Sequence, residues 1–159
     1  MVTEVILEDP LLYKPHPGVK LEHVRVIHCV VSFKGKILLL QRSQTMRYYP
    51  GYWGGVCGVV DAHVQMQDKV YQKIEEEIGI HKKAVKIAAQ KNPIEYAEKV
   101  YGKIWEITPF LVEVDPAKMH FDWSCQDHVW LKPNEAMDYN CLPGFKEVLA
   151  ALFPDKVKP

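Results

Sequence analysis

The sequence predicts an α/β sandwich built around a mixed β-sheet, and three observations carry that reading. Runs rich in Val and Ile come first, a helical stretch follows, further β-branched runs come after it, and an amphipathic helix closes the chain. That order lets helices cover the faces of one sheet. At 159 residues and 48% hydrophobic, the chain can form one domain with its own core and falls short of two ordinary ones. No repeat, low-complexity tract or internal linker divides it.

Residues 1–21 carry Pro10, Pro15 and Pro17 among charged residues and read as an N-terminal extension, ahead of a single domain over residues 22–155. His23 to Phe33 is dense in Val and Ile and suits a buried strand. Lys34-Gly35 is a two-residue turn into a second strand, Lys36 to Gln41, which makes a hairpin. Pro50-Gly51 breaks the chain, and Trp53 to Val60 forms a short Gly-rich strand. Gln67 to Ile78 is helical, because Val70, Tyr71, Ile74 and Ile78 share one apolar arc at 100° per residue. Gln72, Lys73, Glu76 and Glu77 fall on the neighbouring arc, while Glu75 points elsewhere, to plain surface. Val85 to Ala89, Lys99 to Glu113 and His128 to Leu131 supply further strands. Asn134 to Met137 reads as a helical turn, and Pro143 to Phe153 as the closing helix with Pro at its start.

Composition excludes several classes. A formal net charge of +0 and a pI near 7.0 announce no nucleic-acid polymer as partner. No apolar run approaches the ~20 residues of a membrane helix. Cys29, Cys57, Cys125 and Cys141 show neither C-x-x-C spacing nor zinc-like pairing with His, so reduced thiols in a cytoplasmic protein are expected. Met1 to Asp9 lacks the basic start of a signal peptide.

The stretch from Gly58 to Ile80 carries the chemistry. It ends in Glu76-Glu77 followed by Gly79-Ile80, and it resembles the Nudix box, G-x5-E-x7-R-E-U-x-E-E-x-G-U with U aliphatic. Gly58, Ile74, Glu76, Glu77, Gly79 and Ile80 fall on the pattern, whereas Val64, Gln72 and Lys73 replace its first Glu, its Arg and the Glu after that Arg. Leu-Leu-Leu-Gln-Arg42, Pro-Gly-x-Trp53, Trp105 to Phe110 and Trp130 to Glu135 also look like Nudix counterparts, so the resemblance spans nearly the whole domain. It implies a Nudix-type α/β/α sandwich and a hydrolase of nucleoside diphosphate-X compounds that uses Mg²⁺ or Mn²⁺.

Carried over residue by residue, the resemblance makes Glu76, Glu77 and the Gly58 carbonyl the metal ligands, with Glu76 and Glu77 also catalytic. Lys73 takes the place of a third carboxylate and lies three and four residues before Glu76 and Glu77, within salt-bridge reach. Weak metal binding follows. The loop acid that the family places before its last strand has Asp127 as its candidate here, against the plainer reading of an exposed loop Asp. Arg42, at the end of the first hairpin, is the candidate substrate-binding residue for a phosphate, against the plainer reading of a surface Arg. Trp53, in a patch with Tyr48, Tyr49 and Tyr52, could stack on a base or simply pack. His28 and Cys29 read as packed strand residues, and His63 is marked only by its place in the loop before the helix. Cys57 after a Trp suggests a diphosphate isomerase of the same fold, but Val59 and Val60 stand where such an enzyme needs a His ligand.

The partner expected is therefore a small nucleotide-like diphosphate, with no nucleic-acid polymer and no membrane, and a homodimer is left open. A non-catalytic Nudix module binding a nucleotide or a protein is the alternative, favoured by Val64, Lys73 and Ser124 just as the retained Gly58, Glu76, Glu77 and Arg42 favour the hydrolase.

Overall fold

The computed structural model describes residues 20–158, so nearly all of the N-terminal extension lies outside the described residues. One mixed sheet organises the rest. Its strands are β1 (Glu22–Phe33), β2 (Lys36–Arg42), β3 (Trp53–Gly54), β4 (Val56–Val59), β5 (Val85–Gln90), β6 (Ile94–Glu98), β7 (Lys103–Val114) and β8 (Cys125–Leu131). Two helices flank it, α1 (Met66–Ile78) and α2 (Phe145–Leu152).

The two long strands β1 and β7 run parallel from Glu22↔Lys103 to Ser32↔Glu113 and form the spine. Every other pairing is antiparallel: β2 and β4 on the free side of β1, β5 and β6 on the free side of β7, β3 and β8 on β2. The period-two alternation of a strand then sends successive residues to opposite faces. Ile27, Cys29 and Val31 of β1 and Leu38 and Leu40 of β2 join Val70, Ile74 and Ile78 of α1 in one core. Val30, Ile37 and Leu39 turn the other way and meet Phe145, Val148, Leu149 and Leu152 of α2. Both faces of the sheet are covered, which is the expected α/β/α sandwich.

Local chemistry explains the joints. The β1–β2 hairpin turns through Lys34 at φ 49° and Gly35 at φ 81°, the left-handed pair of a type I′ turn. Helix α1 stops at Gly79, φ 72°, whose N–H bonds back to the Glu75 carbonyl. A side chain there would also press within 2.9 Å of His120.

Several elements differ from the sequence reading. The Trp53–Val60 strand is two strands broken at Gly55, where a Cβ would sit 2.1 Å from the Cys29 carbonyl oxygen, so backbone lies directly on backbone. The strand placed at 99–113 begins at Lys103; the residues before it are a hairpin turn, and the alternating Ile94, Tyr96 and Glu98 form the extra strand β6. The last strand starts three residues earlier, at Cys125, and Pro133–Asp138 is a 3-10 helix. The closing helix begins at Phe145 because Gly144 takes a left-handed φ of 82° at its N-cap. Tyr71 is only half-buried at the edge of the apolar arc, with the Lys82 amine 4.9 Å over its ring.

Candidate functional site

Strand β4 runs into the loop before α1, and the helix returns across it, so the two ends of the box face each other. Gly58 makes that approach close: a Cβ on it would lie 2.7 Å from Lys73 Cγ and 3.1 Å from Cδ. The Lys73 stem therefore lies flat on the strand. Its ammonium reaches Glu77 Oε2 at 2.9 Å and Glu76 Oε2 at 3.3 Å. One cation is clamped by the two carboxylates that the box supplies.

The two glutamates are not equivalent. Glu77 is 13% exposed and lines a cleft of about 260 Å³, whereas Glu76 is 47% exposed and stands outside the cleft lining. Gln72, in the place of the family's Arg, donates to Glu76 Oε1 at 2.9 Å. That bond and the Lys73 ammonium hold the Glu76 carboxyl below its ordinary range. At Glu77 burial outweighs the ion pair and pushes its carboxyl above the usual value. Lys73 sits farther out; burial works against its charge, but Glu77 and Glu76 together raise it.

The opposite wall comes from the loop after β2 and from β7. Arg42 donates through Nε to the Tyr48 carbonyl at 2.9 Å, which fixes the guanidinium in the cleft and uses one of its donors. The Tyr48 and Trp105 rings meet edge to face at 5.3 Å and close the same cleft. Trp53, by contrast, does not line it. Its ring packs on Tyr139 at 5.1 Å, and its backbone pairs with the 140–142 segment.

Asp127 lies exposed on β8, with Oδ1 accepting from the His128 N–H at 2.8 Å. The acid whose charge reaches Glu77 is Asp122, and its effect is to raise the Glu77 carboxyl further. Residues 120–122 are stitched to the end of α1, His120 N to the Ile78 carbonyl at 2.9 Å and Asp122 N to the Glu77 carbonyl at 3.1 Å. Asp122 in turn accepts from the Ser124 N–H and hydroxyl.

Cys57 lines the cleft, yet burial pushes its thiol up to about 12, so it is no ready nucleophile. His28 is buried and held neutral, its pKa lowered to about 3 by burial and then by Arg42. Its Nε2 accepts from the Gly55 N–H at 2.8 Å and its ring stacks on Phe145 at 4.7 Å, a packing role. His63 is exposed in a left-handed turn, φ 71°.

A larger depression of about 540 Å³ lies at the far end of β1, beside Lys34, Lys83 and Lys86. Its carboxylate, Glu113, is 3.8 Å from Lys86. It gathers no set of reactive groups comparable to that around Glu77.

Sequence reasoning did not single out Asp122, Trp105 as a cleft wall, or Glu98. Glu98 is 2% exposed and accepts from the Tyr49 hydroxyl at 3.3 Å, while Trp105 Nε1 donates to that same hydroxyl at 3.0 Å. The signal for Glu98 was its place in the alternation Ile94, Tyr96, Glu98, which puts it on the buried side of a strand.

The donor set does not fit a divalent cage. Among the described residues no group of three or more His, Cys, Asp or Glu side chains is placed to hold a metal ion. The two box carboxylates that remain converge on an ammonium.

A family model described as NUDIX domain matches residues 21–152. No curated protein sequence matches the chain. Among solved structures, an Ap4A hydrolase from C. elegans in a binary complex is 19% identical, covering 84% of this chain and 96% of that one, with a TM-score of 0.65. A MutT protein from Methanosarcina mazei Go1 is 16% identical over 86% of this chain and 96% of its own, TM-score 0.69. A MutT NUDIX hydrolase from Burkholderia pseudomallei is 16% identical over 82% and 98%, TM-score 0.66.

Proposed function

The chain belongs to the Nudix family, and on that premise we propose that it hydrolyses the diphosphate linkage of a small nucleotide-like substrate of the nucleoside diphosphate-X type, at a rate held down by Lys73. The observation that supports this most is the meeting of Arg42, Lys73 and Glu77 in one cleft closed by aromatic rings. The solved neighbours described as an Ap4A hydrolase and MutT hydrolases support it over a module that only binds.

In this reading the diphosphate oxygens lie against the Arg42 guanidinium, a fork suited to phosphate, and against the remaining donor of the Lys73 ammonium. The base lies on the Tyr48 and Trp105 rings. Trp53 would reach a base only by leaving Tyr139. A water adds to one phosphorus as the bridging P–O bond breaks, the leaving phosphate keeps the electron pair, and the water's proton passes to Glu77. Burial raises the affinity of the Glu77 carboxylate for that proton. Of the two acids beside β8, Asp122 is the one whose charge acts on Glu77, so it stands ahead of Asp127 as a partner in that step.

Nudix hydrolases generally use divalent metals. Here Mg²⁺ or Mn²⁺ would have to displace Lys73 from Glu76, Glu77 and the neighbourhood of the Gly58 carbonyl, so the chain's own cations carry the phosphate charge in this reading. The test is phosphate or nucleotide release from a panel of nucleoside diphosphate-X and dinucleoside polyphosphate compounds, with Mn²⁺ titrated from none to millimolar. Turnover that Glu77→Gln and Arg42→Gln both lower supports the reading. No turnover of any compound by either the wild type or Lys73→Glu would return the chain to a binding role.

A further inference from the structure

Beside the phosphate cleft, sharing Tyr49 and Pro143 with it, lies a second pocket of about 230 Å³ of opposite electrical character. Four tyrosines line it, Tyr49, Tyr52, Tyr96 and Tyr101, around the carboxylate of Glu98. Neither charged residue of the neighbouring cleft's cationic pair, Arg42 or Lys73, takes part in it.

Glu98 is the anomaly. It is 2% exposed, and a carboxylate that deep is ordinarily paired with a cation, because desolvating an isolated charge is expensive. Among the described residues no Lys, Arg or His makes an ion pair with it. Among the described residues its oxygens accept only from the Tyr49 hydroxyl at 3.3 Å and the Val100 N–H at 3.2 Å. Two long hydrogen bonds leave most of the carboxylate's accepting capacity unused.

The tyrosines around it feel that charge. Burial is the first cause raising the phenols of Tyr49, Tyr52, Tyr96 and Tyr101, and the Glu98 carboxylate adds to the rise in each. The rings stay neutral, and their π faces present further negative potential. Tyr49 meets Tyr52 and Tyr101 edge to face at 5.6 and 4.9 Å, so the rings stand at angles around the space and do not stack it shut. A phosphate is repelled from such a place, and a neutral apolar guest leaves the carboxylate unpaired. An organic cation too large to hydrate tightly satisfies both the carboxylate and the rings.

We propose that the pocket between Tyr52, Tyr96, Tyr101 and Glu98 is a binding site for an organic cation of the methylated-ammonium class. The site stands apart from the hydrolase reading, since it uses neither Arg42, Lys73 nor Glu77. Its nearness to the cleft means that a ligand carrying both a phosphate and a quaternary ammonium head could occupy the two together.

The experiment is a titration of the full chain, without metal and at matched ionic strength, followed by the ring resonances of its tyrosines. The probes are choline, tetramethylammonium and 3,3-dimethyl-1-butanol, the last being the uncharged isostere of choline. Both cations should saturate the same resonances, with choline preferred over the alcohol by about tenfold. Glu98→Gln should cut that preference severalfold, leaving the part that the ring faces supply. Because Glu98 is buried and its replacement could disturb folding, Tyr96→Leu, at a half-buried ring, provides the second variant and should weaken choline by about tenfold as well. Equal affinity for choline and the alcohol, no saturable response to choline, or full choline affinity in a folded Glu98→Gln protein would each overturn the proposal and leave Glu98 as a structural group of the β6–β7 turn.

Discussion

Replacing Lys73 by Glu should turn a site that resists divalent ions into one that holds them. The substitution removes an ammonium lying 2.9 Å from Glu77 and 3.3 Å from Glu76, and puts a third carboxylate on the same helical face. A divalent ion between Glu76 and Glu77 would sit roughly 4 Å from the ammonium. At an effective dielectric of 20, that repulsion is ~8 kcal/mol, twice the value for two unit charges. Glu76 is 47% exposed and the Lys73 tip can swing outward, so screening and relaxation remove most of it. A residue of ~3 kcal/mol is still about a hundredfold in affinity. Calorimetry with Mn²⁺ should therefore show binding at least about a hundredfold tighter in Lys73→Glu than in the wild type. Lys73→Met, which removes the charge without adding a ligand, should fall between them. Thermal melting gives an independent check. Without metal the variant gathers three carboxylates on one helical face, the buried Glu77 among them, and should melt below the wild type, and saturating Mn²⁺ should restore it through mass action. Equal Mn²⁺ affinity in wild type and Lys73→Glu would refute the claim that this ammonium blocks the site.

Other outcomes follow from the same structure. His28 has a folded pKa of about 3 against an ordinary 6.5, so between these values the unfolded chain takes up the proton and the folded one does not. Its contribution is complete above 6.5 and is lost as pH falls, by up to ~1.4 kcal/mol per pH unit. Denaturant melts at pH 7 and pH 5 should show a shallower decline in His28→Gln, which keeps an acceptor for the Gly55 N–H; an unchanged decline would mean that His28 is not the titrating group. Ile74→Ala, at a site with no exposure in the core under α1, should lower stability by about 2–5 kcal/mol in the same assay without a change in Mn²⁺ affinity. Arg42→Gln should weaken binding of ADP by about tenfold in calorimetry, as expected for losing a charged phosphate contact, and an unaltered affinity would place the phosphate elsewhere. Iodoacetamide should leave Cys57 largely unmodified at neutral pH, because burial holds its thiol at about 12; fast labelling seen by mass spectrometry would contradict that.

The sequence by itself determined most of the strands, the helix α1 and the reach of Lys73 to Glu76 and Glu77, because all three rest on short-range patterns. The density of Val, Ile and Leu along His23–Phe33 and Lys36–Gln41 marks buried strands, and helical spacing of three and four places the ammonium beside both carboxylates whatever surrounds them. The glycines at 58 and 79 were legible through the resemblance to the Nudix box, whose pattern has a glycine at each of those places. What only the tertiary structure decided is which partners distant segments bring. Glu76 and Glu77 are adjacent in sequence, yet β4, β7 and the loop after β2 close a cleft over one and leave the other on the surface. Asp122 reaches Glu77 because its backbone is tied to the end of α1, a contact that no spacing along the chain encodes. Trp53 turned to Tyr139 and Trp105 to the cleft, although both are large aromatics beside turn or strand signals. Glu98 lay just outside the strand read at Lys99 to Glu113, and its burial is set by β6 and by Tyr49, some fifty residues earlier, whose hydroxyl bonds to it. Periodicity is a property of neighbours along the chain; the depth of a charge and the identity of its partner are set by packing between elements far apart in sequence.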